Sequence, residues 1–314
     1  MGEAEGEMQT MDTAAPVEDP EEAFERYRPL LFAIAYRMTG SASEAEDLTQ
    51  ETYLRYQASA RNGDVKIISP KAYLTTIITR LAQDYLKSAR VARERYIGTW
   101  LPEPLLTADE SGAPLAGLER QETLSLAFLR LLEALSPPER AVFLLHEVFD
   151  YSFSEIGPML EKSPANCRQI FHRARLALQS DQARFTPQPE RQRALLRSFL
   201  AATQAGDMAT LRNLLAEDVV SWSDAGGKER SPLKPLFGVD VVAQFWGRVV
   251  GANLLSLTIT PAEINGAPAY LFWLEDRLVG IVGMTTSDST IQEIYALLNP
   301  DKLEYLRRQL ARRG

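Results

Sequence analysis

Apolar side chains return every three or four positions over residues 24–96, which predicts three helices. Phe24, Tyr27, Leu31, Ile34 and Ala35 share the face of the first, which Thr39-Gly40-Ser41 interrupts. Ser43 with Glu46 three residues on forms a capping box for a second, over 43–58. After the turn at Arg61-Asn62-Gly63-Asp64, Pro70 opens a third, over 70–90, with Tyr73, Leu74, Ile77, Ile78, Leu81 and Leu86 as its apolar positions. Residues 97–119 lose the period and are punctuated by Gly98, Pro102, Pro104, Gly112, Pro114 and Gly117, as in a linker. Helical spacing returns over 120–180. Leu124, Phe128, Leu131, Leu132 and Leu135 line one helix, and a second runs from Pro138 to Val148. A short helix holds Ile156, Met159 and Leu160 behind a Ser152 or Ser154 cap. Ser163 then caps a helix opened by Pro164, whose buried face is Cys167, Phe171, Ala174 and Leu178.

The period changes after residue 188. A helix with Leu195, Leu196, Phe199 and Leu200 ends at Gln204-Ala205-Gly206-Asp207, and a shorter one holds Met208, Leu211, Leu214 and Leu215. Strand-like runs follow from Val219, Val220 and Trp222, then at 253–260, 262–265, 268–274, 277–286 and 290–297. Helices followed by a meandering antiparallel sheet predict an α+β domain over 188–300, with a basic tail at 301–314.

Charge sharpens this outline. The net charge of −8 comes from residues 1–23, an acidic tail read as disordered. Beyond it the acids balance the 34 bases. Within that neutral body, residues 61–95 are strongly basic and include Tyr73 and Tyr85, a combination that suits single-stranded nucleic acid. The second helix starts acidic with Glu44, Glu46, Asp47 and Glu51, and suits a basic partner. The 152–178 segment reads as a helix–turn–helix. Asn166, Arg168, Gln169, His172, Arg173 and Arg175 lie off its buried face, with side chains able to read bases or phosphates in a major groove. One cysteine and two histidines argue against disulfides and a metal centre, so no cofactor is expected. No apolar run spans a membrane, and no secretory signal precedes the body. Trp100-Leu101-Pro102-Glu103-Pro104 is apolar for a free linker, so it is expected to dock.

In this order the segments resemble bacterial extracytoplasmic-function RNA polymerase sigma factors of the group with a SnoaL-like domain fused after region 4. Glu46-Asp47-Leu48-Thr49-Gln50-Glu51-Thr52-Tyr53-Leu54-Arg55 is similar to region 2.2, which contacts the polymerase clamp helices. Ala72-Tyr73-Leu74 through Asp84-Tyr85-Leu86 is similar to regions 2.3 and 2.4, which open and read the minus-10 element. Leu135-Ser136-Pro137-Pro138-Glu139-Arg140 and the helix–turn–helix resemble region 4, which reads the minus-35 element. Trp100–Pro104, Asn299-Pro300-Asp301-Lys302-Leu303 and Asp224-Ala225-Gly226-Gly227-Lys228 resemble signatures of the fused group, the last with Ala225 where a glycine is usual. Tyr73 stands where Trp is usual, and Arg80-Leu81 where Arg-Asn is usual.

The resemblance implies a multidomain chain: two all-α DNA-binding domains, region 2 at 24–96 and region 4 at 120–182, then a cone-shaped SnoaL-like α+β domain. It implies a cytoplasmic sigma factor, not an enzyme, whose partners are core RNA polymerase and promoter DNA, with the last domain regulating activity in cis. Asp47, Leu48, Gln50, Glu51 and Leu54 are the expected polymerase contacts. Arg80, Lys87, Arg90 and Arg93 are expected on phosphates. Trp100, Leu101, Pro102, Asp224, Gly226, Gly227, Lys228, Asn299, Pro300 and Asp301 are expected at a regulatory interdomain contact. Two alternatives stay open. The chain could be a helix–turn–helix regulator, and its last domain could bind a small ligand or act as an enzyme. In the enzymatic case Asp224 would be the base, in a cone lined by Trp222, Phe237, Phe245, Trp246 and Trp273.

Overall fold

The computed structural model describes residues 19–62, 67–107, 124–178, 189–254, 256–287 and 289–312. The acidic segment 1–18, the loop tip 63–66, the distal linker 108–123 and residues 179–188 lie outside these, as does the side chain of Arg90.

Helix α1 (Pro20–Thr39) begins four residues inside the expected tail, because Asp19 caps it by accepting from the Glu21 amide at 3.0 Å and Pro20 occupies its first position. It ends at Gly40, which takes the left-handed conformation with φ 68°. Helix α2 (Ala42–Asn62) does not use the expected Ser43–Glu46 capping box. Its first amides are taken by a residue 60 or so positions away: the Glu103 carboxylate accepts from Ala42 N at 2.8 Å and Ser43 N at 3.0 Å, while Ser41 Oγ accepts from Glu44 N. A helix N-terminus carries partial positive charge, so a linker carboxylate there is favoured twice over. Helix α3 (Pro70–Glu94) completes a bundle around Leu31, Ile34, Leu74 and Ile78, all fully buried.

The second helical unit comprises α4 (Leu126–Leu131) with a 3-10 turn to Ala134, α5 (Pro137–Phe143) continuing as a π-helical turn to Val148, α6 (Phe153–Leu160) and α7 (Pro164–Leu178). Ser152 caps α6 in a capping box with Glu155. Cys167, Ile170, Ala174 and Leu178 form the buried face of α7, and Phe171 is half-buried where Ile170 takes its expected place. The two helical units share one hydrophobic core: Phe143, Leu144 and Ile156 belong to the same cluster as Leu31 and Leu74.

The last domain follows with α8 (Pro189–Ala205), α9 (Met208–Leu214), β1 (Leu215–Asp224), β2 (Leu236–Phe237), α10 (Val239–Gln244), α11 (Gly251–Leu254), β3 (Thr258–Ile264), β4 (Ala267–Leu274), β5 (Arg277–Ser287), β6 (Thr290–Leu297) and α12 (Glu304–Ala311). Its sheet runs β2-β1-β6-β5-β4-β3. Strands β3 to β6 form the expected antiparallel meander, but β1 pairs parallel with β6, so the sheet is mixed. The runs expected at 253–260 and 262–265 are one edge strand preceded by a helix; among the described residues the linker bridges its outer edge only at Ile264, and Pro261 is tolerated on that edge.

The two faces of the sheet bury different things. One closes on α8 to α10 through Phe199, Val219, Val242, Trp246 and Ile294. The other buries Leu101 and Leu106 of the linker, Leu126 of α4 and Leu303 and Leu306 beside or within α12. The C-terminal segment is therefore part of the domain and not a tail. Fully burying a leucine stabilises by about 1.5–3 kcal/mol, so this second face fastens the domain to the helical half.

Candidate polymerase and promoter interfaces, and the junction between them

On α2, Asp47, Gln50 and Leu54 are exposed, Leu54 to 59%. Leu48 is half-buried against the bundle, and Glu51 is held toward Arg55 at 2.7 Å.

All six side chains expected to face DNA on α7 are exposed: Asn166, Arg168, Gln169, His172, Arg173 and Arg175. Ser163 Oγ accepts from the Asn166 amide at 3.2 Å, which fixes the N-terminal turn that would enter a groove. Arg173 lies 3.3 Å from Glu139 of α5, and Arg175 stacks over Phe171. Gly157 is required in α6, because a Cβ there would meet the Lys162 carbonyl at 2.7 Å.

The basic residues of α3 divide. Lys87 is exposed beside Asp84. Arg80 is turned onto the helix–turn–helix: its Nε donates to the Met159 carbonyl at 2.9 Å, and its guanidinium pairs with Glu161 at 3.0 Å. Arg93, expected on phosphate, is instead drawn inside, where it donates to the Thr39 carbonyl at 2.7 Å, pairs with Glu133 and lies 3.8 Å over the Trp100 ring. Tyr73 donates to Ser59 at 2.8 Å. Burial pushes the Tyr85 hydroxyl up to about 12.

Further bonds tie α3 and α1 to the second helical unit. Thr75 and Tyr151 share a buried hydroxyl pair at 3.0 Å, and Arg140 donates to the Met38 carbonyl at 2.7 Å. The Arg37 guanidinium, pulled down to about 10 by burial, lies 5.4 Å over the Phe149 ring.

The interdomain residues converge on the fully buried carboxylate of Asp224. It accepts from Tyr96, from Leu101 N at 2.8 Å, from Gly226 N at 3.1 Å and from Lys302 Nζ at 2.7 Å. Lys302 also donates to the Leu101 carbonyl and lies over both Tyr96 and Trp100. Burial outweighs the pull of Asp224 and brings the Lys302 ammonium down to about 8. Asn299 donates to Tyr96 at 2.7 Å, and Lys228 pairs with Asp301 at 2.6 Å. The Pro300 carbonyl accepts from Arg307 at 3.2 Å. Gly226, at φ 58°, has no room for a Cβ, which would lie 2.4 Å from the Asn299 amide, and Gly227 rests on Ile97. Trp100 covers Gly40 at the end of α1, and Pro102 lies alongside.

Tyr96, Asn265, Arg130 and Glu293 escaped the sequence reading, and Glu103 was read only as part of the linker motif. Asn265, in the β3–β4 turn, donates to the Tyr36 hydroxyl at 2.6 Å and the Leu124 carbonyl at 2.8 Å, and accepts from Leu105 N at 3.0 Å. Asn265-Gly266 is the dipeptide signature of a tight hairpin, with φ 55° and 72°, so the turn was readable and its distant partners were not. Arg130 of α4 reaches the nearly buried Glu293 of β6 at 2.8 Å and stacks over Trp222. Glu103 caps α2 as described above.

Of the aromatic residues expected to line one cone, only Phe245 and Trp246 meet, edge to face with ring centroids 6.1 Å apart. Trp246 is buried among the helices and donates to Ser221, whereas Trp222 and Trp273 pack on the opposite face, and Phe237 is 62% exposed. Asp224 faces the linker, with its oxygens taken by four donors, so it is not placed as a base in that cone.

Two family models match the helical half, sigma-70 region 2 over residues 23–91 and sigma-70 region 4 over residues 125–178. The chain is 34% identical to the ECF RNA polymerase sigma factor SigJ of Mycobacterium tuberculosis (strain ATCC 25618 / H37Rv), over 89% of this chain and 91% of that protein. It is 29% identical to the probable sigma factor SigI of Mycobacterium tuberculosis (strain CDC 1551 / Oshkosh), over 92% and 96%. The crystal structure of Mycobacterium tuberculosis SigJ superposes with a TM-score of 0.71 at 32% identity, covering 90% of this chain and 98% of that one, and so includes the α+β domain. With its region 2 bundle, its region 4 helix–turn–helix and these relatives along nearly its whole length, the chain belongs to the extracytoplasmic-function RNA polymerase sigma factors.

Proposed function

We propose that the SnoaL-like domain regulates this sigma factor in cis, by holding regions 2 and 4 against each other until promoter engagement separates them. Core polymerase takes the exposed face of α2, α7 reads the upstream duplex element, and α3 serves the minus-10 element, all in the cytoplasm. Two promoter elements more than one turn of duplex apart are separated by more than ~34 Å, while here the two modules share a core. Arg80 has its Nε on the Met159 carbonyl and its guanidinium on Glu161, contacts that compete with a DNA phosphate.

The observation that carries this reading is Asn265. One side chain of the SnoaL-like domain bonds region 2, the linker and the start of region 4 together. The domain acts as a clamp, and its role needs no catalysis, in keeping with an Asp224 consumed by structural bonds. The test is transcription from a cognate promoter with purified core polymerase, comparing the full chain with Asn265→Gly, which keeps the turn but removes the amide. Transcription should rise severalfold with core binding retained. Equal activity of the two proteins refutes the clamp, and failure of both to bind core polymerase refutes the sigma-factor roles assigned to α2.

A further inference from the structure

Between α1, α2 and α12 lies a groove of about 630 Å³, within the size range of sites that bury ligand groups. Its apolar lining is aromatic, from Phe24, Phe32, Tyr53 and Tyr305, and charge surrounds it through Arg28, Glu46 and Arg312. Gln50 and Leu54, two of the residues given to the polymerase contact, stand on its α2 side, so the groove is continuous with that face. Tyr305 and Arg312 come from the SnoaL-like domain, not from region 2.

The C-terminal helix is built into the molecule on two sides. Leu303 and Leu306 are fully buried against the sheet, Arg307 donates to the Leu278 carbonyl at 2.8 Å, and Gln309 accepts from Leu106 N at 3.0 Å. On the other side, Tyr305 stacks on Phe32 with ring centroids 6.3 Å apart, and Arg308 lies 3.6 Å from Glu46. A helix seated this way is a wall and not a lid, and with it in place Asp47, Gln50 and Leu54 remain exposed.

We propose that α12 completes the polymerase-docking surface, forming with α1 and α2 a three-walled groove that receives an amphipathic helix of core RNA polymerase. An aromatic floor with a mixed-charge rim suits a helix that presents apolar residues from one face and both signs of charge beside them. The SnoaL-like domain thereby contributes to core binding directly, in addition to positioning regions 2 and 4. The inference rests on the assignment of α2 to polymerase, and the experiment separates the two.

A photocrosslinking amino acid is placed in the full chain at position 54 or at position 312, and each protein is irradiated with purified core polymerase. Both positions should label the same large polymerase subunit. Labelling from 54 alone overturns the contribution of α12 and leaves the α2 assignment standing, and labelling from neither overturns both. In parallel, core affinity is titrated for Tyr305→Ala and for the double substitution Asp47→Lys with Glu51→Lys. Tyr305→Ala, which removes the buried ring that seats α12 on Phe32, should weaken binding roughly fivefold or more. Unchanged or tighter binding by Tyr305→Ala, while the double variant binds weakly, means that α12 is not part of the docking surface.

Discussion

The amide of Asn265 donates to the hydroxyl of Tyr36 at 2.6 Å, joining a sheet turn to the last turn of α1 across 229 residues of sequence. Tyr36 donates onward to the Glu103 carbonyl at 2.6 Å, and burial raises its hydroxyl far above the usual range, so it remains a donor at any working pH. Asn265→Gly preserves the left-handed turn but strips bonds from Leu105 N and the Leu124 carbonyl. Each buried group left without a partner costs about 1–3 kcal/mol. Denaturant unfolding of the full chain should show a loss of that order, and Tyr36→Phe a smaller one, since it orphans fewer groups.

Asp224 and Lys302 make the most consequential ion pair of the junction. Removing one partner of a buried pair costs about 3–5 kcal/mol, because the other charge is stranded. Asp224→Ala should therefore destabilise by that order and release Leu101 N and Tyr96 together, read as unfolding free energy and as faster amide exchange over residues 96–101.

The same pair gives the junction a pH signature. Lys302 titrates near 8 in the folded chain, against about 10.4 when unfolded. Between these values the unfolded chain binds more protons, so the contribution of this group to stability rises with pH. The cost of burying the ammonium is full below about pH 8 and relieved as pH climbs toward 10.4. Lys302→Met cannot bind that proton. The stability of the parent minus that of Lys302→Met should increase across this window and stay flat below it.

Local pattern was enough to read α1, α3, α7 and strands β4 to β6, because each exposes its period within a few residues. It failed where a partner is distant in sequence. The cap of α2 is Glu103, so Ser43 and Glu46 offered a plausible box that the fold does not use. The parallel pairing of β1 with β6 joins strands that lie far apart in the chain, and no local period encodes it. Arg93 is basic in a basic stretch, and only the docked Trp100 reveals that it faces inward. The Asp224, Gly226 and Asn299 cluster was legible as motifs through family resemblance, whereas its chemistry, a carboxylate satisfied by linker and lysine, arises only once the fold brings distant segments together.

Glu161 closes α6 in the left-handed conformation, φ 56°, a position where glycine is the usual occupant. It keeps a glutamate that pairs with Arg80 at 3.0 Å, an exposed contact worth about 0–1 kcal/mol. Glu161→Gly and Glu161→Ala lose that pair equally, and only Gly escapes the backbone penalty of roughly 1–2 kcal/mol. The Gly variant should be the more stable by that order in thermal or denaturant unfolding. Both leave Arg80 its bond to the Met159 carbonyl and should loosen it to the same degree, raising promoter affinity alike. A difference in affinity between them would show that turn geometry, and not the ion pair, restrains α3.

The recognition helix gives the sharpest division of labour. Arg168 and Gln169 lie in the first two turns of α7, exposed and next to the buried Cys167 that anchors them. The N-terminal part of such a helix is what reaches base edges, and an Arg or Gln there can make a bidentate pair. Arg168→Ala or Gln169→Ala should each cost about 1–3 kcal/mol on the preferred upstream element and relax preference at one base pair. Arg173 is farther along the helix and held toward Glu139, so Arg173→Ala should weaken binding to all sequences similarly and lower the salt dependence by about one contact. Binding of the full chain to a panel of upstream elements, each at several salt concentrations, separates these outcomes. If Arg168→Ala and Gln169→Ala keep the sequence ranking of the parent while Arg173→Ala changes it, the reading face of α7 lies one turn further toward its C-terminus than assigned.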